Sequence, residues 1–142
     1  MRFVGLDVGE RRIGIAVSDA TGTLARPLGV LRPSGLDVDA VDVVMTEIAR
    51  LAAEEDGLGA IVVGLPRRLD GTATHLTPRV EQFARQLAIK TALPVTLQDE
   101  RLSSREAESR LALNDKNWRS RKARLDAAAA AVILQDYLDG RA

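Results

Sequence analysis

Acidic residues in this sequence stand where predicted strands end and where a predicted helix begins. Asp7 ends the first predicted strand, and the pair Asp99–Glu100 follows the last one. Asp126 stands at the start of an alanine-rich helical segment. In a parallel sheet the carboxyl ends of the strands lie at one edge, which is where sites form. Carboxylates that converge there repel one another unless a cation offsets their charge. The pattern therefore indicates hard divalent cations on oxygen ligands, and two such ions can support phosphodiester hydrolysis.

Each of these acids also has a purely structural explanation. Asp7 could begin a turn, and Asp99 could help to start the turn before the next helix. Asp126 could interact favourably with the dipole of its helix. Side chains alternate along a strand, so only one of Asp99 and Glu100 can share the face of Asp7. The spacing alone does not choose between them.

The composition excludes several other kinds of site. The chain has 142 residues, no cysteine and one histidine, His75. Thiolate metal sites and disulfides are therefore excluded, and a zinc site or a histidine-based triad is disfavoured. The 20 basic residues balance the 20 acidic ones, which argues against coating nucleic acid by bulk charge. We expect one soluble domain over residues 1–142, located in the cytoplasm and without a membrane segment.

The hydrophobic pattern predicts an α/β fold that brings the acids together. Ile13, Ile15 and Val17 alternate with small residues, and this period of two predicts a strand. A helix after Asp37, its predicted N-cap, separates three consecutive strands from two further strands. The predicted strands are residues 2–8, 12–18, 24–32, 60–64 and 94–98, and the predicted helices are about 41–52, 77–87, 103–113 and 125–138, the last one stopped by Gly140. This order predicts a mixed five-stranded sheet, three strands antiparallel and then parallel ones, with helices on both faces.

Four segments in this order resemble the YqgF/RuvX family of RNase H-like proteins. Members of that family are described as Holliday-junction resolvases and as nucleases that mature the precursor of 16S ribosomal RNA. The matching segments are residues 5–9 with 12–19, 63–66 with 70–72, 99–101 with 103, 104 and 107, and 126–130 with 133–135, 137 and 138. The resemblance covers nearly the whole chain and implies an RNase H-like fold.

The resemblance also implies the roles of the acids. It assigns Asp7, Glu100 and Asp126 to the catalytic site and therefore selects Glu100 over Asp99. The implied cofactor is Mg²⁺ or Mn²⁺, with two ions bound beside the substrate and water as the nucleophile.

Basic residues near the predicted site edge are expected to bind phosphates. They occupy the turn after Asp7, the ends of the fourth and fifth strands, and a segment with five basic residues and no acid at 116–124. That segment could be a solvated loop, but its position next to Asp126 favours contact with nucleic acid. The predicted nucleic-acid-binding residues are Arg11, Arg12, Arg67, Arg101, Lys116, Arg121 and Lys122.

Three functions follow as expectations. The first is a metal-dependent nuclease that processes the 5′ end of the 16S rRNA precursor. The second is a Holliday-junction resolvase that cuts branched DNA as a homodimer, whereas the processing nuclease could act as a monomer. The third is a non-catalytic nucleic-acid-binding protein in ribosome assembly or transcription. The run Asp7-Val8-Gly9 also resembles the phosphate loop of actin-like kinases, but those proteins need two facing domains and this chain holds one.

Overall fold

A computed structural model describes residues 1–101 and 118–141 of the chain. The predicted helix at 103–113 and the predicted phosphate contact Lys116 lie outside these residues. The described elements are the strands β1 (Arg2–Val8), β2 (Ile13–Ser18), β3 (Ala25–Leu31), β4 (Leu58–Arg67) and β5 (Val95–Arg101) and the helices α1 (Ala40–Ala52), α2 (Thr77–Thr91) and α3 (Trp118–Arg141). Over the described residues, none of the helices has the length and apolarity that crossing a bilayer requires.

The strands form one mixed sheet in the order β3-β2-β1-β4-β5. β1 pairs antiparallel with β2, and β2 pairs antiparallel with β3. β1 pairs parallel with β4, and β4 pairs parallel with β5. The predicted mixed sheet and the predicted directions of its strands are therefore confirmed. The carboxyl ends of β1, β4 and β5 meet at one edge, as the sequence predicted.

Helices cover both faces of the sheet, as predicted. Side chains on one face, including Leu6, Ile15 and Val63, pack with α1 and α2 in the larger core cluster. Side chains on the other face, including Ala16 and Val62, pack with α3 in a second cluster. The alternation of large and small residues along β2 thus sorts them between the two faces.

Helix α3 lies unusually close to the sheet because glycines face it. A Cβ atom added to Gly5 would stand 2.7 Å from the Cβ of Leu134. A Cβ atom added to Gly14 would stand 2.0 Å from the backbone oxygen of Asp126. Real Cβ atoms do not approach other atoms so closely, so these glycines are required for the packing. The small residues of β2 therefore serve helix packing.

Helix α3 begins earlier than predicted, at Trp118 rather than near Leu125. No glycine or proline interrupts residues 118–125, and their side chains are compatible with a helix, so nothing delays its start. Asp126 consequently lies more than two turns inside α3. The dipole explanation for Asp126 is therefore wrong, because that effect fades beyond the first turn. The predicted stop at Gly140 is also wrong, since α3 continues to Arg141.

Other element boundaries also differ from the prediction. Helix α1 begins after Asp39 rather than Asp37, and the Oδ1 atom of Asp39 accepts a hydrogen bond from the backbone of Ser34 at 2.7 Å. The predicted capping role of Asp37 is thus wrong. β4 extends to Arg67 and β5 to Arg101, so Asp99 and Glu100 lie within a strand rather than after it. Pairing of β4 with β5 continues through both acids, which explains the extension.

Candidate active site

Asp7 lies near the carboxyl end of the central strand β1 and is only 5% exposed. Its partner on β2 is Gly14. On the other side, Gly64 of β4 comes one residue beyond the last pair of the parallel ladder, Leu6 with Val63. Glycines therefore flank Asp7 on both neighbouring strands. The strand positions on either side of this carboxylate therefore carry no side chain of their own.

Asp126 occupies the space above one of these glycines. The backbone oxygen of Asp126 lies where a Cβ atom of Gly14 would stand. Side chains of directly paired residues share one face of a sheet, so Asp7 and Gly14 both face α3. The contact of α3 with β2 thus places Asp126 over the strand next to Asp7. The side chain of Asp126 is 23% exposed.

Glu100 occupies the space above the other glycine. A Cβ atom on Gly64 would stand 2.8 Å from the Oε2 atom of Glu100 and 2.6 Å from the Cδ1 atom of Ile133. Glu100 pairs with Pro66, so its side chain reaches back along β4 towards the level of Asp7. The carboxylate therefore lies on the α3 face of the sheet, over the strand that separates β5 from β1.

Asp99 is directed to the opposite face, as the alternation of side chains requires. There the Oδ1 atom of Asp99 lies 3.7 Å from the Nε atom of Arg67. A terminal nitrogen of Arg67 also donates a hydrogen bond to the backbone oxygen of Gly71 at 3.1 Å. The structure thus separates Arg67, a predicted phosphate contact, from the face that carries Asp7 and Glu100.

Asp126 and Arg12 form an ion pair at the same face. The Nε atom of Arg12 lies 3.5 Å from the Oδ2 atom of Asp126. That oxygen is inaccessible to solvent and accepts no hydrogen bond from the described part of the chain. Arg12 is therefore the predicted phosphate contact that the structure brings to an acid of the site.

The three acids suit a hard divalent cation by chemistry and by placement. They offer only oxygen ligands, from one face and from the same edge of the sheet. Residues 1–101 and 118–141 nevertheless contain no group of three His, Asp or Glu side chains close enough to hold one ion in their present positions. Joint binding of one ion by Asp7, Glu100 and Asp126 would therefore involve a rearrangement of these side chains.

The turn that carries Arg11 and Arg12 is held in place by contacts on both sides. The backbone nitrogen of Gly9 donates to the backbone oxygen of Arg12 at 2.9 Å. The Oε1 atom of Glu10 accepts a hydrogen bond from Arg79 of α2 at 2.8 Å, and Arg79 also binds Asp37. The hydrogen bond from Arg79 lowers the pKa of Glu10. These contacts of Arg79 with Glu10 and Asp37 form what we call the Arg79 brace. The brace could not be predicted, because nothing in the sequence relates residues 69 positions apart.

For the remaining predicted phosphate contacts, we describe the position of the backbone in the fold. Arg101 ends β5, directly after Glu100. Arg121 and Lys122 belong to the first turns of α3, ahead of Asp126 along the helix. Arg11 is exposed in the turn after β1. All four positions lie along the chain within a few residues of an acid of the site.

Comparisons with known proteins cover the whole chain. The family model of RuvX, described as a Holliday junction resolvase, matches residues 1–140. A protein of Anaeromyxobacter sp. (strain Fw109-5), named "Putative pre-16S rRNA nuclease", is 44% identical over 141 residues, which are 99% of this chain and 98% of that protein. A protein of the same name from Symbiobacterium thermophilum is 43% identical over 142 residues, which are 100% and 94% of the two chains.

The fold also has a counterpart among solved structures. RuvC of Thermus thermophilus superposes with a TM-score of 0.54 at 17% identity, covering 99% of this chain and 96% of RuvC. At this identity the likeness concerns the fold alone, and it agrees with the predicted RNase H-like architecture. The family model that matches residues 1–140 and the whole-length relatives both describe nucleases. The chain belongs to the RuvX family, whose described members are nucleases.

Proposed function

We propose that this chain is a metal-dependent nuclease that cuts the precursor of 16S ribosomal RNA near its 5′ end, in the cytoplasm. The observation that carries the proposal is the pair of glycines beside Asp7. Gly14 and Gly64 leave room for the carboxyl groups of Asp126 and Glu100 on the face and at the edge that Asp7 occupies. An apolar contact between a helix and a sheet has no structural need for three acids, whereas a cation site has.

The residues of the chain would divide the work as follows. Asp7, Glu100 and Asp126 would hold Mg²⁺ or Mn²⁺, two ions when substrate is bound. The ions supply activation of a water molecule and neutralisation of the leaving oxygen. Arg11 and Arg12, on the braced turn, would hold a phosphate of the nucleic acid beside the acids. Lys116, Arg121 and Lys122 would extend this contact along the backbone of the substrate, whereas Arg101 pairs with Arg67, on the strand position opposite in face to Glu100.

The choice of RNA as substrate is supported by the relatives. Those with 44% and 43% identity over their whole length carry the name of a pre-16S rRNA nuclease. The second candidate, resolution of four-way DNA junctions, is supported by the description of the family model. A resolvase needs a two-fold dimer to cut two strands symmetrically, whereas RNA processing is compatible with a monomer.

The test is cleavage by the purified protein with Mg²⁺ or Mn²⁺ of two substrates. One is an RNA that spans the 5′ junction of the precursor, and the other is a four-way DNA junction. We expect cleavage of the RNA and a loss of at least about 100-fold in Asp7→Asn, because the buried ligand charge is removed. The matched control is Asp99→Asn, which removes the same charge from the opposite face and should retain activity.

The outcomes separate the candidate functions. Symmetric cutting of the junction alone would replace the RNA substrate by branched DNA. Equal cutting by wild type and Asp7→Asn would exclude the acid site. Binding of RNA without metal-dependent cutting of either substrate would favour the third expectation, a non-catalytic assembly factor.

A further inference from the structure

The ion pair between Arg12 and Asp126 is unlike an ordinary surface salt bridge. The two side chains are only 30% and 23% exposed, and the Oδ2 atom of Asp126 that faces Arg12 is inaccessible to solvent. Charged oxygens in such a position need a partner, because burial without one is costly. Arg12 supplies positive charge to one of the three acids of the proposed metal site.

We infer that Arg12 is a built-in counter-ion that competes with the metal for Asp126. In the absence of metal, the guanidinium group neutralises this carboxylate within a cluster of like charges. When a divalent cation binds, Arg12 leaves Asp126 and is available to a phosphate of the substrate. The inference rests on the proposed function, since it takes Asp7, Glu100 and Asp126 as the metal ligands.

This exchange requires movement of the Arg12 side chain only, not of the backbone. The backbone of the turn is fixed by the hydrogen bond between Gly9 and Arg12 and by the brace from Glu10 to Arg79. The side chain of Arg12 is long, and it lies at the border between the acids and solvent. Movement of the guanidinium group would uncover the Oδ2 atom of Asp126 without moving β1, β2 or α3.

The experiment is calorimetric titration of Mn²⁺ into wild type, Arg12→Gln and Arg11→Gln. Both substitutions remove one positive charge from the same turn, so general electrostatics should change metal affinity similarly in both. Of these two arginines, Arg12 is the one that pairs with Asp126. We therefore expect Arg12→Gln to bind Mn²⁺ about tenfold more tightly than Arg11→Gln, as loss of a competing, partly buried ion pair predicts.

A second readout is the melting temperature in EDTA and in Mn²⁺. Without metal, Arg12→Gln should melt below Arg11→Gln, because Asp126 has lost its counter-ion. Excess Mn²⁺ should remove most of that difference. A purely structural role of Arg12 would lower the melting temperature in both conditions and would not tighten metal binding.

Failure of the inference can be told from failure of the proposed function. If Mn²⁺ binds in a manner that depends on Asp7 but Arg12→Gln binds no more tightly than Arg11→Gln, the counter-ion role is overturned and the metal site stands. If wild type binds no Mn²⁺, or if Asp7→Asn binds it equally well, both the inference and the metal site are overturned.

Discussion

The two faces of the sheet are built from the same strands but differ in what they can do. The face towards α1 and α2 carries large aliphatic side chains such as Leu6 and Val63, both fully buried. It forms an ordinary closed core. The face towards α3 carries glycine and alanine, and the helix lies close to the strands. Small residues on this face leave room for the carboxyl groups of Asp126 and Glu100 beside the strand that carries Asp7.

The α3 face is itself divided along its length. At one end the ring of Phe3 contacts that of Tyr137, with centroids 6.1 Å apart, and Arg141 lies over the Phe3 ring at 4.6 Å. At the other end Asp126 lies above Gly14. Helix α3 thus anchors its carboxyl end by apolar packing and brings its acid to the carboxyl edge of β1. The packing of the carboxyl end of α3 therefore helps to position Asp126 near the other end of the contact.

The strongest way to break this arrangement is Gly14→Ala. The new Cβ atom would lie 2.0 Å from a backbone oxygen, so no side-chain rotation can relieve the clash and α3 must shift. We expect a loss of about 3 kcal/mol in the free energy of unfolding, together with loss of cleavage. Denaturation in urea and the cleavage assay measure the two effects.

The control for that substitution is Gly29→Ala on β3. A Cβ atom there meets nothing within 4 Å, so the same chemical change should be tolerated or slightly stabilising. If Gly14→Ala were as stable and active as Gly29→Ala, the close approach of α3 would not be required for the site.

Much of this arrangement could be predicted from the sequence. The alternation of Ile13, Ile15 and Val17 with small residues predicted a strand, and the structure confirms it as β2. The order of strands and helices placed Asp7 and Glu100 at one edge, because parallel strands share their carboxyl ends. These inferences depend on local periodicity and on connection rules, which a single sequence contains.

Other features depend on contacts that local patterns do not record. The start of α3 at Trp118 was missed, because residues 118–124 are compatible with either a basic loop or a helix. The placement of Glu100 over Gly64 depends on the register of β4 with β5, which the sequence does not state. The Arg79 brace and the Arg12–Asp126 pair join distant segments, so charge alone could not identify them.

The substitution Gly64→Ala tests whether the space on the α3 face serves the stability of the protein or the position of Glu100. The atoms in the way of its Cβ are the ends of two flexible side chains, the Oε2 atom of Glu100 and the Cδ1 atom of Ile133. They can move at modest cost, so we expect a loss of only about 1 kcal/mol in the free energy of unfolding. Displacement of Glu100 should nevertheless weaken Mn²⁺ binding and cleavage about tenfold.

Gly64→Ala would therefore separate function from stability, whereas Gly14→Ala would reduce both. Unfolding in urea and Mn²⁺ titration of the same preparation provide the two measurements. Unchanged Mn²⁺ affinity in a protein with the expected small loss of stability would show that Glu100 does not need the space over Gly64.

The smallest expected effect concerns Asp19, an acid that directly follows β2, much as Asp7 lies next to the last residue of β1. The Oδ1 atom of Asp19 accepts hydrogen bonds from the backbone of Thr23 at 2.8 Å and of Leu24 at 3.0 Å, and the hydroxyl group of Thr21 donates to Oδ2 at 2.6 Å. These bonds, with that of Thr21 the largest cause, lower the pKa of Asp19 to about 2. The hairpin thus supplies hydrogen bonds to both carboxylate oxygens of Asp19, whereas Asp7 belongs to the proposed metal site.

The lowered pKa gives a direction for the pH dependence of stability. A depressed pKa in the folded state stabilises the protein above the ordinary value near 4, and this contribution is lost as the pH falls from about 4 to about 2. Asp19→Asn should therefore show a shallower loss of melting temperature over that range, while its cleavage activity at neutral pH equals that of wild type. Thermal melts at a series of pH values measure the slope. A slope equal to that of wild type would mean that the hairpin bonds contribute nothing in solution, and a loss of cleavage would mean that strand-end acids outside the α3 face also serve the site.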